Sequence, residues 1–215
     1  MQVGVLVPTL NRAYKLRAVA ENISADSRCV PVFICEEADE QSIEAVDEIA
    51  GAMLVINMRA RSYAGAINTA VGWCDFDWFF LGADDVRFHA GWLDAALAVA
   101  DGFDVIGTND LHNPDVLNGT HSTHSLVRNT YARSGVVDVP DVCLFEGYRH
   151  NWCDTEFIAT ASARSVFKPC LDSVVEHLHW VWNKNAMDTT YDKGRMSEHL
   201  DRQLFKERQH LWNGI

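Results

Sequence analysis

Apolar and polar residues alternate in blocks along the first half of the chain. Val3 to Val7 is a short apolar run closed by Pro8, and Val30 to Cys35 is a second, ending at Glu36-Glu37. Ala52 to Ile56, Phe76 to Leu81 and Phe103 to Gly107 are three more. Continuous apolar runs of this length predict strands buried on both faces. Between them the period changes to that of a helix. Leu16, Val19, Ala20 and Ile23 recur at helical spacing after Asn11, a residue able to cap. Ile43, Val46 and Ile49 share a face in Ser42 to Ile49; Tyr63 to Trp73 and Ala90 to Ala100 complete four helices. Strands alternating with helices of this length predict right-handed crossovers and a parallel sheet.

After Gly107 the texture changes. Thr108 to Thr123 is rich in Asn, Asp, His and Thr and reads as a long loop. His124 to Arg128 is a candidate strand, Asn129 to Ser134 a short helix and Val136 to Tyr148 irregular. Cys153 to Phe167 is expected as a helix with Asp154 and Glu156 in its first turn, where the dipole favours acids. Val174 to Trp182 alternates like a strand. Arg195 to Trp212 carries an apolar stripe, Leu200, Leu204, Phe205, Leu211 and Trp212, that fits core packing by a C-terminal helix. No internal repeat is visible.

The 215 residues are 48% hydrophobic, enough for one α/β domain with a full core. The formal net charge of -12 argues against broad nucleic-acid binding, which needs clustered Lys and Arg, and against docking on anionic lipid. A local basic patch at Arg59, Arg61 and Arg128 is the exception to weigh. Six cysteines without a Cys-x-x-Cys pair read as buried thiols in a reducing, cytoplasmic setting. The N-terminus reads as a first strand rather than a signal peptide, and no apolar run is long enough to span a membrane. Asn118-Gly119-Thr120 is a glycosylation sequon by pattern only.

Four polar sets fall at the carboxyl ends of the predicted strands, where an open α/β sheet places its ligand. They are Pro8-Thr9-x-Asn11-Arg12, Glu36-Glu37-x-Asp39, the Arg59-to-Asn68 stretch and Asp84-Asp85. The phosphate-cradling glycines of dinucleotide and P-loop sites are absent. Two adjacent aspartates can bind a hard divalent cation; they can also form a turn or cap. His177 and His179, two apart on a predicted strand, would share one face and can ligate a metal or be half-exposed polar positions.

In this order the sets resemble the GT-A glycosyltransferases, in particular the large inverting group called family 2. The likeness rests on Val7-Pro8-Thr9-x-Asn11-Arg12, the acidic pair after strand two, Gly65-Ala66-Ile67-Asn68, Phe80-Leu81-Gly82-Ala83-Asp84-Asp85 and Asp154-x-Glu156-Phe157. It covers residues 1 to 110 well and 150 to 180 loosely. It implies a Rossmann-like, mostly parallel central sheet flanked by helices, with a smaller acceptor-side region and a C-terminal helix. Residues 1–110 would be the nucleotide-sugar half and 111–215 the acceptor-binding and catalytic half of one domain.

The resemblance implies a metal-dependent, inverting transferase acting on a nucleotide-diphosphate sugar, UDP by default, and a hydroxyl acceptor it does not identify. It implies Mn²⁺ or Mg²⁺ held by Asp85 with His179 or His177. The donor would meet Pro8, Thr9, Asn11, Arg12, Glu36, Glu37, Arg61, Gly65, Asn68 and Asp84. Asp154, or else Glu156, would be the base. Gly82 departs from the pattern, since the family often has a further Asp there. Trp152, Trp180 and Trp182 can stack on sugars or fill the core. Asp188-x-x-Tyr191 is a candidate closing loop. A nucleotidyltransferase on a similar sheet wants a basic glycine-rich loop after strand one, which Pro8 to Arg12 is not; a non-catalytic binding module is the other alternative.

Overall fold

A computed structural model describes residues 1–185 and 189–215, with side chains for 1–185, 192 and 196–215. Of the Asp188 and Tyr191 pair, Asp188 lies outside the described residues, and Tyr191 falls in the C-terminal helix rather than a loop. The chain runs β1 (Val3–Pro8), α1 (Ala13–Ile23), β2 (Cys29–Cys35), α2 (Glu40–Asp47), β3 (Met53–Ile56), α3 (Tyr63–Trp73), β4 (Trp78–Leu81), β5 (Val86–Phe88) and α4 (Trp92–Ala98). It continues through β6 (Val105–Asn109), α5 (Pro114–Leu117), β7 (Ser125–Arg128), α6 (Asn129–Ala132), α7 (Cys153–Ala163), β8 (Phe167–His177) and α8 (Thr189–Arg208). Short 3₁₀ turns occupy Trp180–Trp182 and Gln209–Leu211.

One eight-stranded sheet has the order β3-β2-β1-β4-β7-β6-β8-β5. β1, β2, β3 and β4 are parallel neighbours, as are β6 and β8. β7 runs antiparallel between β4 and β6, and β5 lies antiparallel on β8. The five strands predicted in the first half are present, but β6 is not the next parallel neighbour of β4, because β7 separates them; the strand expected over Val174 to Trp182 stops at His177. The central strands are buried on both faces: Val3, Val5, Leu6, Val7, Phe79 and Phe80 are inaccessible to solvent. One core layer gathers Leu6, Ile67, Phe79, Leu144 and Phe157, and the other Val5, Leu16, Phe33, Phe80 and Leu93.

Local chemistry explains most boundaries. The α1 face of Leu16, Val19, Ala20 and Ile23 is buried as its spacing predicts. Ser62 caps α3 by accepting from the Gly65 N–H at 3.1 Å. Gly65 is required there, since a Cβ would lie 2.0 Å from the Ala60 carbonyl oxygen. α7 ends at Ala163, four residues before the expected Phe167. Ser165 turns left-handed (φ 58) and Val166 N donates back to the Ala161 carbonyl, which closes the helix, so Phe167 to Val174 pairs with β6 as a strand instead. α8 begins six residues before the expected Arg195 and ends at Arg208. Of its stripe, Trp212 is buried, while Leu200 is exposed.

All six cysteines are buried free thiols. Among the described residues, no helix is long and apolar enough to cross a membrane.

Candidate functional site

β1, β2 and β4 end at one edge of the sheet, and their terminal residues bond to one another there. Thr9 Oγ1 donates to Asp84 Oδ2 at 3.0 Å, and Arg12 Nη1 to Asp84 Oδ1 at 2.6 Å. Arg12 is buried, not a solvent-facing helix residue. Burial raises the Asp84 carboxyl above its ordinary range, with Arg12 opposing and Asp85 adding to the rise. Asp84 is therefore a brace between strands: both its oxygens already accept bonds from protein donors. Asn11 adopts a left-handed backbone (φ 56), and its N–H donates to Asp39 Oδ2 at 2.7 Å. Asp39 also caps α2 by accepting from Ser42 N. Pro8 is the last residue of β1, beside Ile34 of β2.

The remaining donor candidates divide. Glu36 accepts from Asn57 Nδ2 at 2.8 Å and lies 3.9 Å from Arg61 Nε, so these two stay at the same edge. Glu37 is exposed. Asn68 is committed elsewhere. Its Nδ2 donates to the Leu144 carbonyl and to Glu146, and its Oδ1 accepts from the Cys143 and Leu144 N–H groups. Two donor and two acceptor sites exhaust an amide. Asn68 thus brackets the 143–146 segment and has nothing left for a ligand. Gly65 likewise has a packing reason of its own.

Asp85 meets the end of β8. His177 Nε2 lies 3.5 Å from Asp85 Oδ2, and Leu178 N donates to the Asp85 carbonyl at 2.7 Å. Burial opposes a charged His177 ring, but the hydrogen bond and charge of Asp85 outweigh it and raise its pKa. The two histidines are not on one strand face, since β8 stops at His177. His179 begins the next turn, its Nδ1 accepting from Val181 N at 3.4 Å, with its ring 5.0 Å from that of His177. Burial and His177 push His179 down to about 4. With Nδ1 accepting, a neutral His179 carries its proton on Nε2.

Two further histidines sit here that the sequence did not single out. His124 is buried just before β7, its Nδ1 3.0 Å from the Leu81 carbonyl and its ring 5.0 Å from that of His177. Among the described residues its Nε2 has no hydrogen-bond partner. Burial, then His177, push its pKa down to about 4. His121, in the loop before it, places Nε2 3.3 Å from Asp154 Oδ2. The one available signal was the His-rich texture of residues 108–123, which has no spacing rule.

Asp154 and Glu156 part company. Asp154, in the first turn of α7, lines a small cavity with Tyr63, Leu81, Ser122, Thr123 and Phe157. Burial would raise its carboxyl, but the bonds from His121 and Thr155 N bring it below the ordinary value. Glu156 faces the core. It accepts from Tyr148 Oη at 2.7 Å and from Arg208 Nε and Nη2 at 2.9 and 2.8 Å. A carboxylate locked to arginine and 2% exposed cannot reach an acceptor, so Glu156 is a core anchor for α8. Asp201 of α8 also accepts the N–H groups of Arg149, His150 and Asn151, fixing the approach to α7. Trp152 packs on Phe205, while Trp182 stacks on His112. Arg59 pairs with Glu146 and Arg128 with Asp104, so neither belongs to a free basic patch.

Among the described residues, no three His, Cys, Asp or Glu side chains form a ready-made cage for a cation. What the edge offers is the Asp85–His177 pair with the unpartnered His124 nitrogen beside it, one carboxylate among imidazoles. Such donors fit a divalent cation, Mn²⁺ more readily than Mg²⁺.

No family model matches the chain, and no curated protein sequence does. Solved structures do match. Mannosyltransferase PcManGT from Pyrobaculum calidifontis, in complex with GDP-Man and Mn²⁺, is 18% identical at a TM-score of 0.64 over 83% of this chain. This chain spans 57% of that one. Glucosyl-3-phosphoglycerate synthase from Mycobacterium tuberculosis, in complex with Mn²⁺, UDP-glucose and phosphoglyceric acid, is 11% identical at a TM-score of 0.66, covering 98% of this chain and 80% of that one. Residues 1–349 of TarS from S. aureus match at 15% identity and a TM-score of 0.59, over 81% of this chain and 59% of that one. The chain thus has the GT-A fold that these structures share.

Proposed function

We propose that the protein is a metal-dependent inverting glycosyltransferase, moving a sugar from a nucleotide-diphosphate sugar, UDP-linked by default, to a hydroxyl acceptor. The observation that carries this reading is the meeting of Asp85 and His177, from the ends of β4 and β8, at the ligand-binding edge of a GT-A sheet. Likeness to solved structures in complex with GDP-Man or UDP-glucose supports the donor class. Residues 1–110 would hold the donor and 111–215 the acceptor, in a cytoplasmic enzyme.

Asp85 and His177 would hold Mn²⁺ or Mg²⁺, which when bound offsets the negative charge of the diphosphate leaving group. Asp84, Thr9 and Arg12 keep the strand ends in register, so that Asp85 is held in place. Glu36 and Arg61, with Pro8 and Asn11, form the side on which the nucleotide base and phosphates would lie. His179 stays neutral, its Nδ1 accepting from Val181 N, beside the His177 ring. Asp154 would take the proton of the acceptor hydroxyl. His121 and Thr155 N hold it ionised and oriented while leaving lone pairs to accept that proton. One base opposite the leaving group gives inversion at the anomeric carbon.

The test is calorimetry of UDP and GDP, with and without Mn²⁺, on the wild type and on Asp85→Ala, beside a turnover screen of nucleotide sugars. Mn²⁺-dependent nucleotide binding that Asp85→Ala abolishes is the expected result; equal affinity in the two proteins refutes the site. Binding with no turnover of any donor, with matched acceptors, would reduce the protein to a binding module.

A further inference from the structure

His124 is a buried imidazole with one nitrogen used and one unused. Nδ1 lies 3.0 Å from the Leu81 carbonyl, which can only accept, so in the neutral ring Nδ1 bears the proton. Nε2 then presents a lone pair, and among the described residues no donor meets it. A ligating histidine commonly has this arrangement, one N–H fixed by a backbone carbonyl and the other nitrogen bare. The bare nitrogen belongs to a ring packed edge-on to His177, at 83° and 5.0 Å, and His177 is the residue that meets Asp85.

The position of His124 relates to the missing acid at residue 82. Gly82 N donates to the Leu6 carbonyl at 2.9 Å, and a Cβ at 82 would stand 3.0 Å from that same oxygen. Any side chain there must push on the β1 backbone. His124 binds the carbonyl of that same Leu81–Gly82 peptide, from the β7 side of β4. Asp85 Oδ2 and His177 Nε2 are 3.5 Å apart. Two donors each ~2.1 Å from one cation stand roughly 3 Å apart.

We infer that His124, through Nε2, is a ligand of the divalent cation together with Asp85 and His177, supplying from the residue just before β7 the donor that position 82 lacks. This rests on the proposed metal-dependent reading above. Among the described residues no three such side chains form a ready-made cage, so holding a cation requires the three to draw together on it. Two imidazoles and one carboxylate make a nitrogen-weighted site, which selects Mn²⁺ over the oxygen-seeking Mg²⁺.

The experiment uses the full chain with Mn²⁺ alone and with Mn²⁺ plus UDP. Pulsed EPR counts coordinated imidazole nitrogens, and titration gives Mn²⁺ and Mg²⁺ affinities. The wild type should show two coupled imidazoles and at least ~10-fold preference for Mn²⁺ over Mg²⁺. His124→Gln should lose one nitrogen coupling and ~10-fold or more in Mn²⁺ affinity, with little change for Mg²⁺. A single coupled imidazole in the wild type overturns the inference without recourse to any variant. So does an unchanged nitrogen count in folded His124→Gln, even where affinity falls. Loss of the remaining coupling in His177→Gln would then show that the metal site stands without His124. If His177→Gln and Asp85→Asn also bind Mn²⁺ as the wild type does, the metal site itself has failed.

Discussion

Arg208→Met tests whether Glu156 is a structural anion or a base. In the native protein the Glu156 carboxylate is 2% exposed and accepts three bonds, two of them from Arg208. Arg208 also binds Asp138 at 2.7 and 3.0 Å and lies over the Phe145 ring at 3.4 Å. Methionine keeps much of the apolar stem but leaves Glu156 buried with only Tyr148 Oη. Stranding one partner of a buried pair costs ~3–5 kcal/mol. For a domain of this size that is about 6–20 °C in Tm, a large part of its total stability. Glu156→Gln in the same chain removes the stranded charge, so Arg208→Met/Glu156→Gln should recover much of the loss. The assay is urea unfolding followed by circular dichroism on wild type, both single variants and the double. A loss under about 1 kcal/mol in Arg208→Met, the level of a surface pair, refutes the reasoning. So does a double variant no more stable than Arg208→Met. Folded Glu156→Gln that binds nucleotide but loses turnover would make Glu156 the base after all.

Asp154→Asn should keep nucleotide affinity and lose about 10²- to 10⁴-fold in transfer, the range for a positioned general base; turnover within about threefold of wild type would point to another group. The acid limb of stability comes from depressed carboxyls. The Arg208 hydrogen bond holds Asp138 below its ordinary 3.8, and Asp154 is also low. Each stabilises the fold above the unfolded value and loses that contribution as pH falls through its lower folded value. Urea midpoints should therefore drop steeply from pH 4 toward 2, and less steeply in Asp138→Asn. A midpoint unchanged over that range would refute the linkage.

Much of the fold was readable because its signals are local. Apolar runs marked β1 through β4 and β6, and α1 lies on the face its spacing gives. Failures came where pairing partners are far apart in sequence. Nothing in Ser125–Arg128 says that it will run antiparallel between β4 and β6, because that depends on which edges remain open after the parallel half has formed. Nor does Val86–Phe88, three residues long, announce a strand; only β8 makes it one.

The sequence alone determined the strand-end chemistry: Asp84 and Asp85 after a buried run, Arg12 after β1, and the acids opening α7. Residue type and helical or strand period suffice for that. Only the tertiary structure decided what each group does. Asp84 is a brace because Thr9 and Arg12 converge on it from β1. Asn68 is a bracket because residues 143–146 fold against α3. Glu156 is an anchor because α8 returns to it across more than fifty residues. His177 reaches Asp85, and His124 reaches the His177 ring, only once β8 and β7 have taken their places in the sheet. A side chain's chemistry is fixed by its type; its role is fixed by which partners the fold brings within hydrogen-bonding reach and which it hides from water.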